Sequence, residues 1–296
     1  MKFRMLTLIA MALLLALLPV GNAFADPYDP NAPFALMPED LYAQAAVVMD
    51  ANSGRVLFDK NATEQVYPAS TTKIMTLLLA CEYGHLDETI TIPEEAADIS
   101  SDSSVVPVTP GETMRFIDLL YGLEMHSGND AANAVAVIVA GSIPNFVAMM
   151  NQKAEELGLT NTHFENCTGL HNDNHYSTCR DIAVLMSECL KSDTFREIVT
   201  REVYTTEATA SHPEGITLYD TMLHRFTSYE MSTTLENGAV IEGGKTGFTD
   251  EAGQCLVSFA EYGGEEYILV TAEAMTDSGS AVDSIADAST VYGRLQ

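Results

Sequence analysis

The chain has 296 residues, of which 42 are acidic and 14 are basic, so its formal net charge at pH 7 is −28. A negative charge of this size repels phosphate polymers and acidic membrane surfaces, which excludes nucleic acid as a natural partner. The length is sufficient for one large domain or two closely packed subdomains, and no internal repeat divides the sequence.

The first 25 residues have the pattern of a secretory signal peptide. Lys2 and Arg4 precede an apolar run over 6–20, and Ala23-Phe24-Ala25 places small residues at both positions of an A-x-A cleavage site. The run is too short to span a bilayer comfortably, although an uncleaved signal would still tether the protein. We therefore expect a cleaved signal peptide over 1–25, an extracytoplasmic protein, and an extended, proline-containing leader over 26–40.

The secondary-structure pattern then changes from strands to helices and back to strands. Apolar runs at 43–49 and 56–58 flank the turn Asn52-Ser53-Gly54 and predict a β-hairpin, which leads into a buried helix over 74–79. Helical patterns follow at 113–124, 130–140, 144–157 and 178–191, the last beginning at the helix-capping Thr178. Strand patterns occur at 240–241, 256–259 and 267–272, and a weakly amphipathic helix at 279–295.

Strands near both ends and helices between them predict an α/β (α+β) fold with one sheet built from both ends of the chain. We place the catalytic domain at 41–296. Its sheet subdomain covers about 41–92 and 195–296, and its inserted helical subdomain covers about 93–194.

Five cysteines, an odd number without a Cys-x-x-Cys pair, argue against a disulfide framework. Cys81, Cys189 and Cys255 lie in apolar patterns, where a buried free thiol is expected. Cys167 and Cys179 flank a loop, and an oxidising compartment permits a bond between them without requiring it.

Three short segments carry the chemistry. In order, they are Ser70-Thr71-Thr72-Lys73, Ser127-Gly128-Asn129 and Lys245-Thr246-Gly247. On a helix the Ser70 hydroxyl and the Lys73 amine share one face, about 5–6 Å apart at Cβ, near enough for the amine to deprotonate the hydroxyl. Ser70 also falls at a predicted helix N-terminus, where unpaired N–H groups favour developing negative charge. Ser70 is therefore the candidate nucleophile and Lys73 the candidate base.

The other two segments complete a site for serine acyl transfer. In this interpretation Ser127 relays a proton to the leaving group and Asn129 holds a substrate amide. The Lys245 ammonium and the Thr246 hydroxyl bind a substrate carboxylate, and Gly247 permits close backbone approach. Lys245 is also the candidate cation that lowers the pKa of Lys73. Taken singly, the segments also fit a capped helix with a solvated lysine, a loop with a helix cap, and a strand edge beside a turn.

The stretches 67–76 and 243–253 resemble the low-molecular-mass penicillin-binding proteins that are serine-type D-alanyl-D-alanine carboxypeptidases, as do Gly169-Leu170 and the segment 175–178. The resemblance covers roughly 40–295. It implies a β-lactamase/transpeptidase-like fold, in which helices flank an antiparallel sheet, and no cofactor. It also implies that peptidoglycan stem peptides ending in D-Ala-D-Ala acylate Ser70, that the terminal D-Ala leaves, and that water completes hydrolysis. The backbone N–H groups of Ser70 and Phe248 would form the oxyanion hole, and β-lactams would be covalent inhibitors.

Two alternative functions and two departures from the family pattern remain. A class A β-lactamase shares the three segments but needs a Glu followed by a Leu-Asn pair, and no Leu-Asn occurs between Ser127 and Lys245. A non-catalytic wall-binding protein of the same fold would usually lose at least one site residue. The sequence ends at Gln296, about where the family's catalytic domain ends, so we expect neither a further β-rich domain nor a C-terminal anchor. The segment 218–235 has no clear counterpart in the family pattern before the third motif, so we assign it no role.

His171 and His175 stand four residues apart around Asp173, a pattern that also invites a metal site. No helix supports this spacing, and His175 fits the family's non-metal pattern. We expect no metal here.

Overall fold

The computed structural model describes residues 35–101, 103–275 and 282–296. The predicted signal peptide and the leader as far as residue 34 lie outside the described residues, as does the start of the predicted C-terminal helix, at 279–281. The strands are β1 (Ala45–Asp50), β2 (Val56–Lys60), β3 (Thr89–Thr91), β4 (Thr113–Arg115), β5 (Val203–Thr205), β6 (Thr217–Tyr219), β7 (Val240–Thr249), β8 (Gly253–Tyr262) and β9 (Glu265–Ala274). The helices are α1 (Lys73–Tyr83), α2 (Phe116–Met125), α3 (Asn129–Ala140), α4 (Ile143–Glu156), α5 (Cys179–Cys189), α6 (Asp193–Val199), α7 (Thr221–Ser228) and α8 (Asp283–Tyr292).

A five-stranded sheet in the order β2-β1-β9-β8-β7 forms the centre of the fold, and every neighbouring pair is antiparallel. The first part of the chain supplies β1 and β2, and the last part supplies β7, β8 and β9. The pairing of β1 with β9, for example Val47 opposite Val270, joins the two parts. The predicted antiparallel sheet built from both ends of the chain is therefore confirmed, as is the hairpin of β1 and β2.

Helices cover both faces of this sheet. Along β1, Val47 and Met49 pack into the larger core, which α1, α2, α3 and α5 share. Ala46 and Val48 point to the other face and pack with residues of α7 and α8. Because both faces are buried, β1 is apolar at almost every position instead of alternating with polar residues.

Helix α1 lies inside the larger core, where its residues from Lys73 to Ala80 are all buried. A helix that is apolar on every side is stable only when neighbouring elements bury its whole surface. Helix α1 packs against α2, α3, α4, α5 and α6. A short 3₁₀ turn, Ala69–Thr72, leads into it and carries Ser70.

Two predicted elements are wrong in detail. The predicted helix at 113–124 begins only at Phe116, because Thr113–Arg115 forms β4 and pairs with β3. The short strand predicted at 240–241 is the ten-residue edge strand β7, whose glycines weaken the strand signal in the sequence. The short elements α6, β5, β6 and α7 were not predicted, and β6 and α7 occupy most of the segment to which no role could be assigned.

All five cysteines are free thiols, so Cys167 and Cys179 are not bonded to each other. Cys81 is partly exposed and the other four are buried. Within the described ranges no single helix is long and apolar enough to cross a membrane, and only α3 and α4 together, bent by 83°, meet the length and composition criteria.

Candidate active site

The 3₁₀ turn before α1 brings the predicted nucleophile to the predicted base. Ser70 is half-buried, and Lys73, the first residue of α1, has no exposed surface. The Lys73 Nζ donates a hydrogen bond to the Ser70 Oγ at 3.2 Å. The hydroxyl is thus within proton-transfer distance of an amine that water does not reach.

The Lys73 amine also donates to the Asn129 Oδ1 at 2.7 Å and to the Thr168 carbonyl oxygen at 2.6 Å. All three of its acceptors are neutral. Burial, and then repulsion by the nearby Lys245 ammonium, lowers the pKa of Lys73 from 10.5 to about 7. A large fraction of this amine is therefore unprotonated at neutral pH, which a general base requires.

The turn between α2 and α3 places the second motif beside Lys73. Ser127 has a φ of 55°, an uncommon conformation for a residue with a side chain, and its buried Oγ has no hydrogen-bond partner among the described residues. Asn129 begins α3, and its Nδ2 donates to the Ser103 Oγ at 3.0 Å. Asn129 therefore holds the Lys73 amine as well as the loop at Ser103, and its role with a substrate amide stays a prediction.

The third motif lies on the edge strand β7, which runs against the turn that carries Ser70. A Cβ at Gly247 would stand 2.8 Å from the Ser70 backbone nitrogen, so only glycine permits this approach. Lys245 is fully buried and its Nζ donates to the Thr246 carbonyl oxygen at 3.3 Å. The Thr246 hydroxyl lies 3.1 Å from that of Thr221 on α7.

A cleft of about 620 Å³ opens over these residues. Ser70, Asn129, Thr168 and the half-exposed Phe248 line it, with Asp250 at the β7–β8 turn. The side chains of Lys73, Ser127 and Lys245 are not part of the cleft lining and are at most 7% exposed. The candidate nucleophile Ser70 is thus open to a ligand, while the two lysines lie in the protein interior, where their charges are poorly screened. The oxyanion role of the Phe248 N–H stays a prediction.

A loop that the sequence reasoning did not assign holds Lys73 from the opposite side. The Asn166 Oδ1 accepts from the backbone N–H groups of Thr168 at 3.1 Å and Gly169 at 2.7 Å, which fixes the Thr168 carbonyl on the amine. Gly169 has a φ of 87°, and a Cβ there would lie 1.9 Å from the Ala69 carbonyl oxygen. Thr168 contacts Lys73 through its backbone carbonyl, so its residue type does not identify it in the sequence. The Asn-x-x-Gly spacing from 166 to 169 does indicate a turn in which the Asn side chain binds the following backbone N–H groups.

Two buried carboxylates near the lysines were also missed. Glu124 on α2 and Asp220, the N-cap of α7, both interact electrostatically with Lys245. Glu124 stands between Leu123 and Met125 in an otherwise apolar segment, and a lone acid in such a run is a signal that the sequence does offer.

The histidines considered as metal ligands are engaged elsewhere. Both ring nitrogens of His175 have protein partners, the Thr72 Oγ1 at 2.8 Å and the Glu165 N–H at 3.1 Å. His171 lies edge-on to Tyr67, and its Nε2 is 3.4 Å from an Asp173 oxygen. Within the described ranges no cluster of three or more His, Cys, Asp or Glu residues could hold a metal ion.

Comparison with known proteins gives one consistent result. The family model described as D-alanyl-D-alanine carboxypeptidase, Peptidase S11, matches residues 32–276. The D-alanyl-D-alanine carboxypeptidase DacF of Bacillus subtilis is 36% identical over 240 residues, which are 79% of this chain and 58% of the relative. The D-alanyl-D-alanine carboxypeptidase of Streptomyces sp. K15 is 34% identical over 263 residues, 86% of each chain.

Solved structures agree with these sequence matches. A D-alanyl-D-alanine carboxypeptidase from Mycobacterium tuberculosis superimposes with a TM-score of 0.73 at 27% identity, over 84% of this chain and 89% of the other. A variant of the DD-transpeptidase of Streptomyces K15 gives a TM-score of 0.72 at 30% identity, over 86% and 98% of the two chains.

Proposed function

The chain belongs to the D-alanyl-D-alanine carboxypeptidase family of S11 peptidases, and on that premise we propose that it removes the terminal D-Ala from peptidoglycan stem peptides ending in D-Ala-D-Ala. The predicted family resemblance and the β-lactamase/transpeptidase-like fold are confirmed by the family match and the structural neighbours. The activity is a proposal, because the chain spans only 58% of the length of DacF. The observation that carries it is the hydrogen bond between the buried Lys73 amine and the Ser70 hydroxyl.

Acylation begins when the neutral Lys73 amine takes the proton of the Ser70 hydroxyl. The Ser70 oxygen attacks the carbonyl carbon of the penultimate D-Ala, and the N–H groups of Ser70 and Phe248 stabilise the resulting oxyanion. Removing one such donor typically slows catalysis about 10²- to 10³-fold. As the peptide bond breaks, the proton passes from Lys73 through the Ser127 hydroxyl to the leaving amine. Free D-Ala and an ester on Ser70 are formed.

Hydrolysis of the ester completes the cycle. Having lost its proton to the leaving group, Lys73 is again neutral and takes a proton from the attacking water. Water adds to the ester carbonyl, the bond to the Ser70 oxygen breaks, and that oxygen regains a proton. Ser70 and Lys73 thus return to their starting states.

The substrate's terminal carboxylate binds near Lys245 and Thr246. This assignment is supported by the scarcity of cations in the chain, 14 against 42 acidic groups, and by the position of Lys245 on β7, three residues before the cleft-lining Phe248. A buried ammonium and a hydroxyl form charge-assisted hydrogen bonds to a carboxylate. β-Lactams, which carry a similar carboxylate, are proposed as covalent inhibitors of Ser70.

The proposed location follows from the N-terminal sequence. The signal peptide predicted at 1–25 would deliver the protein outside the cytoplasmic membrane, where peptidoglycan is available. An uncleaved signal would keep it tethered there. Cleavage is tested by N-terminal sequencing of the protein recovered from its host.

One experiment tests the function. The protein and its Ser70→Ala variant are incubated with a diacyl tripeptide ending in D-Ala-D-Ala and, separately, with a fluorescent penicillin. We expect free D-Ala and a long-lived penicillin adduct from the native protein and neither from the variant. Rapid penicillin turnover would instead support the class A β-lactamase alternative, and neither product nor adduct would support a wall-binding protein.

A further inference from the structure

Helix α2 carries a buried acid that the proposed mechanism does not use. The Glu124 side chain has no exposed surface, and neither of its carboxylate oxygens accepts a hydrogen bond from a described residue. An isolated buried carboxylate is strongly disfavoured, so it persists only where a nearby charge compensates it or where it takes up a proton.

When protonated, the two buried lysines are cations that require a nearby negative charge. Lys73 donates only to neutral acceptors, and Lys245 donates to a backbone carbonyl oxygen. Neither ammonium therefore has a directly bonded carboxylate among the described residues. Two buried cations without a counter-charge repel each other, and each has lost its favourable interactions with water.

The other buried carboxylates nearby are committed to backbone donors. The Asp130 oxygens accept from the N–H groups of Val106, Val108 and Ala131. Asp220 accepts from the first N–H groups of α7. Glu124 is thus the nearby carboxylate with both oxygens uncommitted, and its position ties it to the site, because its own carbonyl oxygen accepts the Ser127 N–H at 3.4 Å.

Charged and titratable groups from several elements surround Glu124 and the two lysines. They are Cys81 on α1, Asp130 on α3, Cys167 and His175 in the segment between α4 and α5, Cys189 on α5, Asp220 at the N-cap of α7 and Arg225 on α7. Burial raises the pKa of Glu124, whereas the nearby charges of Lys245 and Lys73 lower it and favour the carboxylate. Because Glu124 interacts with both lysines, the protonation of each group depends on that of the others, and the three titrate as a unit.

We propose that Glu124 is a positioning residue that acts as the counter-charge of the lysine pair, so that Lys245 stays an ammonium while Lys73 gives up its proton. With Lys73 neutral, the charges of Lys245 and Glu124 cancel, and the buried site carries no net charge from these three groups. The inference deepens the proposed function and rests on it, because it assigns Lys73 as the base for Ser70 and Lys245 as the carboxylate-binding cation.

The direct test follows the lysines themselves and needs no turnover. The protein and its Glu124→Gln variant are labelled with ¹³C at lysine Cε, and the Lys73 and Lys245 signals, assigned with Lys→Arg variants, are titrated by NMR. Removing a carboxylate destabilises both ammoniums, so we expect both lysines to lose their protons at lower pH in the variant, Lys245 by about 1 pH unit. Glu112→Gln is the matched control, because Glu112 is a buried carboxylate whose partners are His212 and Thr209.

The second test measures the rate of acylation by a fluorescent penicillin between pH 5 and 10. The acid limb reports the neutral fraction of Lys73 and the alkaline limb the charged fraction of Lys245. Both limbs should move to lower pH in Glu124→Gln and remain in place in Glu112→Gln. Glu124→Leu, which suits an apolar helix, should shift them in the same direction and replaces Glu124→Gln if that variant does not fold.

Unchanged lysine titrations, or a shift to higher pH, would overturn the assignment of Glu124. Failure of the proposed function looks different. In that case the native protein forms no adduct at Ser70 at any pH, while the NMR titration still decides whether Glu124 controls the lysine protons.

Discussion

Replacing Lys73 by methionine should separate the stability of the site from its activity. Lys73 is fully buried, and its pKa falls from an ordinary 10.5 to about 7. At pH 7 this fall corresponds to a penalty of about 4 kcal/mol against folding, because one unit of pKa is worth about 1.4 kcal/mol. Methionine removes the penalty but leaves the acceptors at Ser70, Asn129 and Thr168 without a donor, at about 1 kcal/mol each. We therefore expect the free energy of unfolding of Lys73→Met at pH 7 to be about 1 kcal/mol higher than that of the native protein. The variant should form no penicillin adduct.

The pH dependence gives the sharper test, because the cost of the lost hydrogen bonds is the same at every pH. Between about pH 7 and 10.5 the unfolded chain holds a proton on Lys73 that the folded protein has lost, so this group makes the native protein more stable as the pH rises. By pH 9 its penalty falls to about 2 kcal/mol. The variant should therefore change from about 1 kcal/mol more stable at pH 7 to about 1 kcal/mol less stable at pH 9.

Urea unfolding at pH 6, 7, 8 and 9 measures both proteins. Lys153→Met is the control, because Lys153 pairs with Glu82 near the surface and its pKa is raised, so it stays protonated throughout this range. Its effect on the free energy of unfolding should not vary with pH. A difference between Lys73→Met and the native protein that is equally constant from pH 6 to 9 would refute the lowered pKa and, with it, the role of Lys73 as a neutral base.

Three further predictions concern single residues of the site and its supports. Ser127→Ala should change the free energy of unfolding by no more than about 0.5 kcal/mol, because the Ser127 Oγ has no hydrogen-bond partner among the described residues. The same variant should slow penicillin acylation about 10²-fold if Ser127 relays the proton, and equal rates would exclude the relay. Gly169→Ala should destabilise the protein by more than about 3 kcal/mol and abolish acylation, because its Cβ would overlap the Ala69 carbonyl oxygen. The control Gly158→Ala has open space around its Cβ and should lower the free energy of unfolding by about 1 kcal/mol. Similar melting temperatures for the two variants would contradict the close approach at Gly169. Thr178→Ala should lower the free energy of unfolding by about 1 kcal/mol, because it removes the hydroxyl that caps α5. Thr178→Ser keeps a hydroxyl and should retain most of that stability. If urea unfolding gives the two variants the same free energy of unfolding, the hydroxyl cap is unimportant.

Local patterns were enough to predict the strongest elements. The apolar run after Lys73 predicted a buried helix, and the capping Thr178 marked the start of α5, where its hydroxyl accepts the Asp181 N–H at 3.0 Å. Both signals are carried by residues close in sequence, so no knowledge of the fold is needed to interpret them. By contrast, the strand at Thr113–Arg115 depends on pairing with Thr89–Thr91, a distant partner that local periodicity does not reveal.

For the site, the sequence by itself determined which residues are the candidate reactive groups. The spacing of Ser70 and Lys73 already placed a hydroxyl and an amine within reach, and the other two motifs named a second serine and a second cation. These are properties of residue type and short-range geometry, which the chain carries in any conformation that forms the helix.

Only the tertiary structure decided the protonation of those groups and the residues that control it. The pKa of Lys73 depends on complete burial and on Lys245, which lies far along the chain on β7. The Thr168 carbonyl and the Glu124 carboxylate join the site only when α1, α2, the loop at 166–169 and β7 pack together. Desolvation and the interaction of buried charges act through space in a medium of low dielectric constant, so they exist only after the chain has folded.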